Sequence, residues 1–467
     1  MAQQRPNVLI IQLDDMNGFG ATDYYPKVKT PFLQKLKQEA LNFIKATCQA
    51  PVCVPSRASM FSGLYPHTTG AYLNGSDPWR GKSILRNTES FPETFHKSGY
   101  ETWARGKIFH AKVDSGRYEK MFDNRPIYMG GFGPFAEKEY WLGNGQFSSV
   151  KAWTGPDSDF PDIVNADAAV KFLEDKHDKP FFLFYGLWRP HTPYTAPKRF
   201  FDLYEGMHFE LPQGYKDGDL NDVPFLAREL VDSLKQFGKS QEEILQTVEK
   251  LIRGYCATSS FADWNMGRVI EALDKSPYAA NTIVIVCSDN GYHNGEKIRW
   301  QKGTMWEMSA YTPLLIRFPG CKPQVINQTV GLIDLYPTLV EYCKLNKPPH
   351  KLEGQSMVLI FTNGNASFRS YSLTTYGTGY TSVTDGRYRY IRYPDKTEEL
   401  YDHTTDPWEW NNIASQKNMN GVKKKLQKLV PKKMRESLGG RYEQRRGKDN
   451  KYMAENEKDG PVGEGNN

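Results

Sequence analysis

Apolar runs that end in acidic residues recur along this chain. Pro6 to Leu13 is almost wholly apolar and stops at Asp14-Asp15. An unbroken run of this length reads as a strand buried on both faces of a parallel sheet. Thr282 to Cys287 is a second such run, followed by Ser288-Asp289-Asn290. Tyr100 to Ala104, Phe181 to Leu187 and Pro313 to Phe318 read as further strands. Between them, Thr30 to Leu41 (Pro31 near its start), Asp162 to Lys176 and Asp334 to Cys343 have helical spacing, and Gln241 to Leu273 reads as a long helix, broken or continuous. Strands alternating with helices predict a large parallel or mixed sheet between helices. Such sheets bind ligands at the carboxyl ends of their strands, where both acidic groups lie.

Past about Gly354 the pattern changes. Tyr371 to Tyr376 and Thr381 to Tyr393 read as antiparallel strands, with Asp385-Gly386 as a hairpin turn. Glu399 to Asp402 adds another strand, and Gly421 to Met434 a basic helix. The expected organisation is an α/β domain over residues 1–360, a C-terminal subdomain of antiparallel sheet and helix over 361–445, and a polar tail over 446–467. The 39% of hydrophobic residues is ordinary for a globular chain with a sizeable core. The net charge of +6 favours an anionic substrate weakly, and no nucleic-acid motif and no stretch of membrane-spanning length is seen. Cys48, Cys53, Cys256, Cys287, Cys321 and Cys343 have neither zinc-site nor CxxC spacing.

The sharpest chemical signal is Cys53-Val54-Pro55-Ser56-Arg57, followed by Gly63. It resembles the signature of the type I sulfatases, with Ser62 where Thr is usual. By itself a Pro-Ser-Arg turn reads as a helix start beside a buried cysteine. The resemblance, however, runs from Arg5 to Asp402 and on to Asp406-Pro407, and is nearest to iduronate-2-sulfatase-like and bacterial polysaccharide sulfatases. It implies an alkaline-phosphatase-like α/β fold, and oxidation of Cys53 to formylglycine by a formylglycine-generating or anaerobic maturating enzyme.

Asp14, Asp15, Asp289 and Asn290 offer hard oxygen ligands, suited to Ca²⁺ and, less well, to Mg²⁺, with the residue made from Cys53 beside them. Either acidic pair alone would read as a strand end entering a turn. The resemblance further implies that Arg57 reaches the formylglycine hydrate, that Lys107 and Lys302 bind sulfate, that His110 takes a proton from the hydrate, and that His191, in Arg189-Pro-His-Thr-Pro, is the general acid for the departing alcohol. One hydroxyl of the hydrate would attack sulfur, and loss of a proton from the other would then expel sulfate. His293, Asn294, Arg299 and Trp300, with Trp79-Arg80 and Trp188-Arg189, are candidates for a sugar subsite.

The expected enzyme removes sulfate from a sulfated oligo- or polysaccharide, a marine algal one such as ulvan or carrageenan before a 2-sulfated glycosaminoglycan. A phosphonate or phosphate monoester hydrolase on the same fold is the next reading. A non-catalytic sulfated-glycan binder is a different class, disfavoured because all the expected groups are present. Export to the periplasm or exterior, with the signal peptide absent from this sequence, is expected for such an enzyme; a cytoplasmic location stays open.

Overall fold

The computed structural model describes residues 5–18, 27–114, 116–124, 129–135, 149–231, 240–364 and 366–439. The polar tail of residues 446–467 lies outside them.

The core is a seven-stranded sheet. Its strands are β1 (Asn7–Asp14), β2 (Leu41–Phe43), β3 (Glu101–Gly106), β4 (Phe181–Pro190), β5 (Thr282–Ser288), β6 (Leu314–Arg317) and β7 (Gln324–Ile326), in the order β7-β2-β6-β5-β1-β4-β3. β1 lies parallel to β4 and β5, and β6 runs antiparallel to both β5 and β2, so the sheet is mixed. Its position at the centre explains why β1 reads as a continuous apolar run. Val8 and Ile10 enter one core, with helix α1 (Cys53–Ser62) against it, while Leu9, Ile11 and Leu13 enter the other, against helices α2 (Pro161–Glu174) and α3 (Gln241–Lys275). Side chains alternate across a strand, so one covered on both faces is apolar along most of its length; Gln12 is the buried exception within β1, its Nε2 directed at Met60 Sδ at 3.5 Å.

One expectation for the large domain changes. The stretch from Thr30 to Leu41 is not one helix. Helix ends at Lys37, and Leu41–Phe43 is a strand of the sheet. Leu41 and Phe43 are buried with Asn42 less so, a period of two hidden at the end of a helical pattern. The long helix α3, left open as broken or continuous, is continuous over 35 residues and is capped by Ser240, whose side chain accepts from the Glu243 amide.

Four antiparallel strands follow in order: β8 (Ser372–Thr375), β9 (Thr381–Thr384), β10 (Tyr388–Arg392) and β11 (Glu398–Asp402). Asp385 closes the β9–β10 hairpin by accepting from the amides of Arg387 and Tyr388. Helix α4 (Asn420–Gln427) covers this sheet through Leu426, which joins Leu373, Val383, Tyr390 and Leu400. It ends before the Met434 expected from sequence. Among the described residues no helix is long and apolar enough to cross a membrane.

Candidate active site

The carboxyl ends of β1 and β5 bring Asp14, Asp15 and Asp289 together with Cys53, the first residue of α1. One ligand atom of each lies within 4.8 Å of the others, and all four are buried. Asp15 reaches this position through a left-handed turn (φ 64°), with its amide donating to Asp289 Oδ1 at 3.2 Å. Tyr255 holds the turn from behind. Its hydroxyl donates to the Asp15 carbonyl at 2.7 Å and accepts from the Asn17 amide at 2.9 Å. Asn290 Nδ2 donates to Asp15 Oδ1 at 2.7 Å, and its Oδ1 is buried without a hydrogen-bond partner.

Three cations interleave with these acids. Lys107 Nζ lies 2.5 Å from Asp14 Oδ2, and Lys302 Nζ lies 2.6 Å from Asp15 Oδ1 and 3.0 Å from Cys53 Sγ. Arg57, one turn along α1, is a bracket. Its Nε donates to Asp289 Oδ2 at 2.8 Å and its Nη1 to the carbonyls of Lys107 and Ile108 at 2.8 and 2.9 Å. Lys107 follows β3 and sits under the faces of Phe132 (5.0 Å) and Trp188 (5.5 Å).

A register shift between Gln12 and Asp14 on the β1–β4 ladder turns the end of β4 toward the same place. Asp162 ties down the turned segment by accepting from the amides of Trp188 and Arg189 at 2.8 and 3.1 Å. His191 follows. Its Nδ1 bonds the Thr192 carbonyl at 2.6 Å and so carries the proton there, which leaves Nε2 facing Asp15 Oδ2 at 3.6 Å. His110 (φ 51°) packs edge-on to Phe132 and Trp188.

The charges perturb one another strongly. Burial, with Asp14 and Asp289 alongside, raises Asp15 to about 7 against the pull of Lys302. Burial would raise Asp14 too, but Lys107, Lys302 and Arg57 together hold it below its ordinary value. Burial and Asp289 push the Cys53 thiol well up. Burial and the nearby lysines keep His191 and His110 far below the usual imidazole range. Three buried carboxylates, an orphaned amide oxygen and no softer donor than the side chain at 53 fit a hard divalent cation.

The subsite candidates are placed differently. Arg189 is buried and spends its donors on the Thr195 carbonyl and hydroxyl and the Phe132 carbonyl. His293 bonds the Glu296 carbonyl and the Thr304 hydroxyl. Arg299 donates to the Lys302 carbonyl, and Trp300 Nε1 to the Tyr194 hydroxyl. Asn294 is buried, and Trp79 is core, stacked by Arg117. Arg80 lies at the surface, 3.5 Å from Asp114. Each of these side chains is bonded to or packed against the protein itself, so none is offered as a sugar contact. Tyr255, Tyr194, Asp162 and Phe132 went unnoticed in the sequence. None stands in a motif, and burial of a polar group is not a sequence pattern.

The sulfatase family model matches residues 6–345, and that for the C-terminal part of N-sulphoglucosamine sulphohydrolase matches residues 295–436. A sulfatase of Formosa agariphila is 35% identical over 451 residues, 92% of this chain and 87% of the relative. An ulvan-active sulfatase of the same bacterium is 26% identical, covering 94% of this chain and 83% of its own length. The solved phosphonate monoester hydrolase of Silicibacter pomeroyi shares the fold, with a TM-score of 0.74 at 22% identity, covering 91% of this chain and 94% of that one. Mixed sheet, flanking helices and small antiparallel sheet together are the alkaline-phosphatase-like architecture. The chain belongs to the sulfatase family and is a sulfuric ester hydrolase.

Proposed function

We propose that this sulfatase acts on a sulfated polysaccharide or its oligosaccharides, ulvan-type chains first, using formylglycine made from Cys53 and a calcium ion held by Asp14, Asp15, Asp289 and Asn290. The observation that carries the reading is the approach of three carboxylates and the Cys53 side chain to within 4.8 Å at a helix N-terminus, with Lys302 3.0 Å from the sulfur. A helix N-terminus, two lysines and a divalent cation make a place for an anion. When bound, the cation supplies a Lewis acid for the sulfate oxygens, and the oxidised side chain a nucleophile that a neutral buried thiol does not provide.

The rest belongs to the chain's own groups. Lys107 and Lys302 neutralise the sulfate, each already fixed by a carboxylate. Arg57 keeps Asp289 and the Lys107 loop in register. His191, with its Nδ1 proton committed to Thr192, presents Nε2 to the departing alcohol oxygen and acts as the acid once it has taken up a second proton there. His110 receives a proton from the residue at 53. Cys53 is wholly buried, so a maturating enzyme must reach it before the fold closes. A polymeric substrate favours export. The likeness to an ulvan-active relative over nearly the whole chain supports the sugar assignment.

Two measurements test this. Mass spectrometry of the Cys53 peptide from active protein should find formylglycine. A desulfation screen over ulvan, carrageenan and glycosaminoglycan oligosaccharides, with phosphate and phosphonate monoesters as the counter-panel, should show sulfate release from a sugar. Full activity with an intact thiol at 53, or faster turnover of the phosphorus esters, would sink the proposal.

A further inference from the structure

The loop between β5 and β6 that carries Lys302 has an improbable backbone. Within residues 295–303, five positions adopt positive φ: Gly295 (131°), Lys297 (54°), Ile298 (52°), Gln301 (76°) and Gly303 (86°). Glycine takes such angles freely, but a β-branched isoleucine is an outlier there, and lysine is uncommon. Strained positions persist only where the surroundings over-determine them.

The surroundings here centre on Lys297. Its side chain is 1% exposed and its ammonium lies 3.0 Å from Asp219, itself fully buried. The same ammonium donates to the Glu409 carbonyl and stands over the faces of Tyr401 (5.0 Å) and Trp306 (5.4 Å). Tyr401 lies on β11 and Glu409 just beyond it, so the lysine pins the loop to the C-terminal sheet. A buried ion pair is weak evidence for stability as such, and a strained loop closed around one calls for another account. The far end of the loop supplies it: Arg299 Nη2 holds the Lys302 carbonyl at 2.8 Å, and the Gly303 amide donates at 3.1 Å to the carbonyl of Pro51, two residues before Cys53.

We infer that Lys297 is a positioning residue, anchoring the loop of residues 295–303 on the C-terminal sheet and so setting where the Lys302 ammonium stands. The inference rests on the reading of Lys302 as a sulfate-binding group. It assigns the C-terminal sheet a part in holding sulfate although no strand of that sheet carries a residue proposed for the chemistry.

The test is a thermodynamic cycle on the full-length, calcium-loaded protein, with inorganic sulfate as the probe and calorimetry as the readout. Lys297→Met alone would strand Asp219, so it is paired with Asp219→Asn. The pair should weaken sulfate binding about tenfold, a loss in the range of coupled neighbours. Lys302→Met should weaken it at least as much, and adding the pair to Lys302→Met should bring no further loss. Should the pair not fold, as judged by its melting transition, Tyr401→Leu leaves the ion pair and removes one ring. It should show a smaller loss, about threefold, again absent on the Lys302→Met background. Additive losses, or unchanged sulfate affinity in the pair, overturn the inference. Unchanged affinity in Lys302→Met alone overturns the reading of the site beneath it, and the anchor falls with it.

Discussion

Gly106 and Gly186 face each other, backbone to backbone, where β3 and β4 end. A Cβ on Gly186 would lie 1.7 Å from the Lys107 carbonyl oxygen, and one on Gly106 would lie 1.9 Å from the Gly186 carbonyl oxygen. Gly106 also needs its left-handed angle of 76°, which delivers the chain to Lys107. The Lys107 amide then donates to the Gly186 carbonyl at 2.9 Å. The lysine facing Asp14 is thus set by the absence of two side chains.

Gly186→Ala therefore inserts a methyl group where backbone stands, and backbone cannot move aside as a flexible side chain can. The expected destabilisation is about 3 kcal/mol, the upper part of the overpacking range. Turnover should fall further than the loss of folded protein explains, because the displaced atom belongs to Lys107. Urea unfolding and turnover per folded molecule separate the two effects.

Lys302→Ala removes one of two ammonium groups beside the side chain at position 53. Losing one preorganised group at the reacting centre typically lowers kcat about 100-fold or more. The same loss, counted per folded molecule, is expected here on a sulfate ester. Cys53→Ala should abolish turnover, and Cys53→Ser should be nearly as inactive unless the maturating enzyme accepts serine. A Cys53→Ala protein that still turns over substrate would remove the nucleophile from the proposal.

Calcium should stabilise the folded chain if it binds as proposed, since two of the groups assigned to it, Asp15 and Asp289, lie 274 residues apart in sequence and meet only on folding. At a free concentration a hundred times its Kd, the ion adds about 2.7 kcal/mol. A chelator should lower the melting temperature by a few degrees and stop turnover, and calcium should restore both. The shift should vanish in Asp289→Asn. A chelated protein with unchanged melting and turnover would contradict the assignment of these four residues.

Much of this cluster could be read from the sequence because its acids end apolar runs. Asp14-Asp15 and Asp289-Asn290 close strands that had to be central, and central parallel strands converge at their carboxyl ends. The residues proposed for a sugar subsite could not be read in that way. His293, Arg189 and Arg299 look like substrate contacts when only residue type is visible. Each already bonds the protein, His293 to the Glu296 carbonyl, Arg189 to that of Thr195 and Arg299 to that of Lys302, and that depends on loop paths with no period. Leu41–Phe43 was hidden for a related reason: three residues cannot display a period of two against the helical pattern before them.

The C-terminal sheet supplies a pH dependence of stability. His403 lies 2.9 Å from Glu409, which also faces Arg389, and Arg389 in turn meets Glu307. Burial opposes a charge on His403, but its hydrogen bond to Glu409 and the nearby Glu307 raise its pKa above the ordinary value. A raised folded pKa means that the folded chain binds the proton more tightly than the unfolded one. The stabilisation is therefore complete below about pH 6.5, the unfolded value, and is lost as pH rises through the folded value. The urea midpoint should fall across that window, and the part of the fall due to this residue should be absent in His403→Gln. A midpoint that rises there, or an identical fall in the variant, would assign the dependence to other groups.

The general acid can be tested by leaving group. A sugar hydroxyl departing as an alkoxide is a poor leaving group and needs a proton as the bond to sulfur breaks, whereas a nitrophenolate does not. In the proposal His191 gives that proton from Nε2 of a doubly protonated ring, its Nδ1 held by the Thr192 carbonyl and the ring against Phe132, centroids 4.5 Å apart. General acid catalysis contributes about 10²–10⁴-fold. His191→Ala should lose a factor of this size on a sulfated oligosaccharide and much less on 4-nitrophenyl sulfate, with a similar KM for each. The ratio of the two losses is the measurement that matters, because a variant that merely disturbs Asp15, 3.6 Å away, would slow both substrates alike. Equal losses would therefore assign His191 to the support of Asp15 and its neighbouring acids and leave the proton donor to be sought elsewhere, with His110 the first candidate.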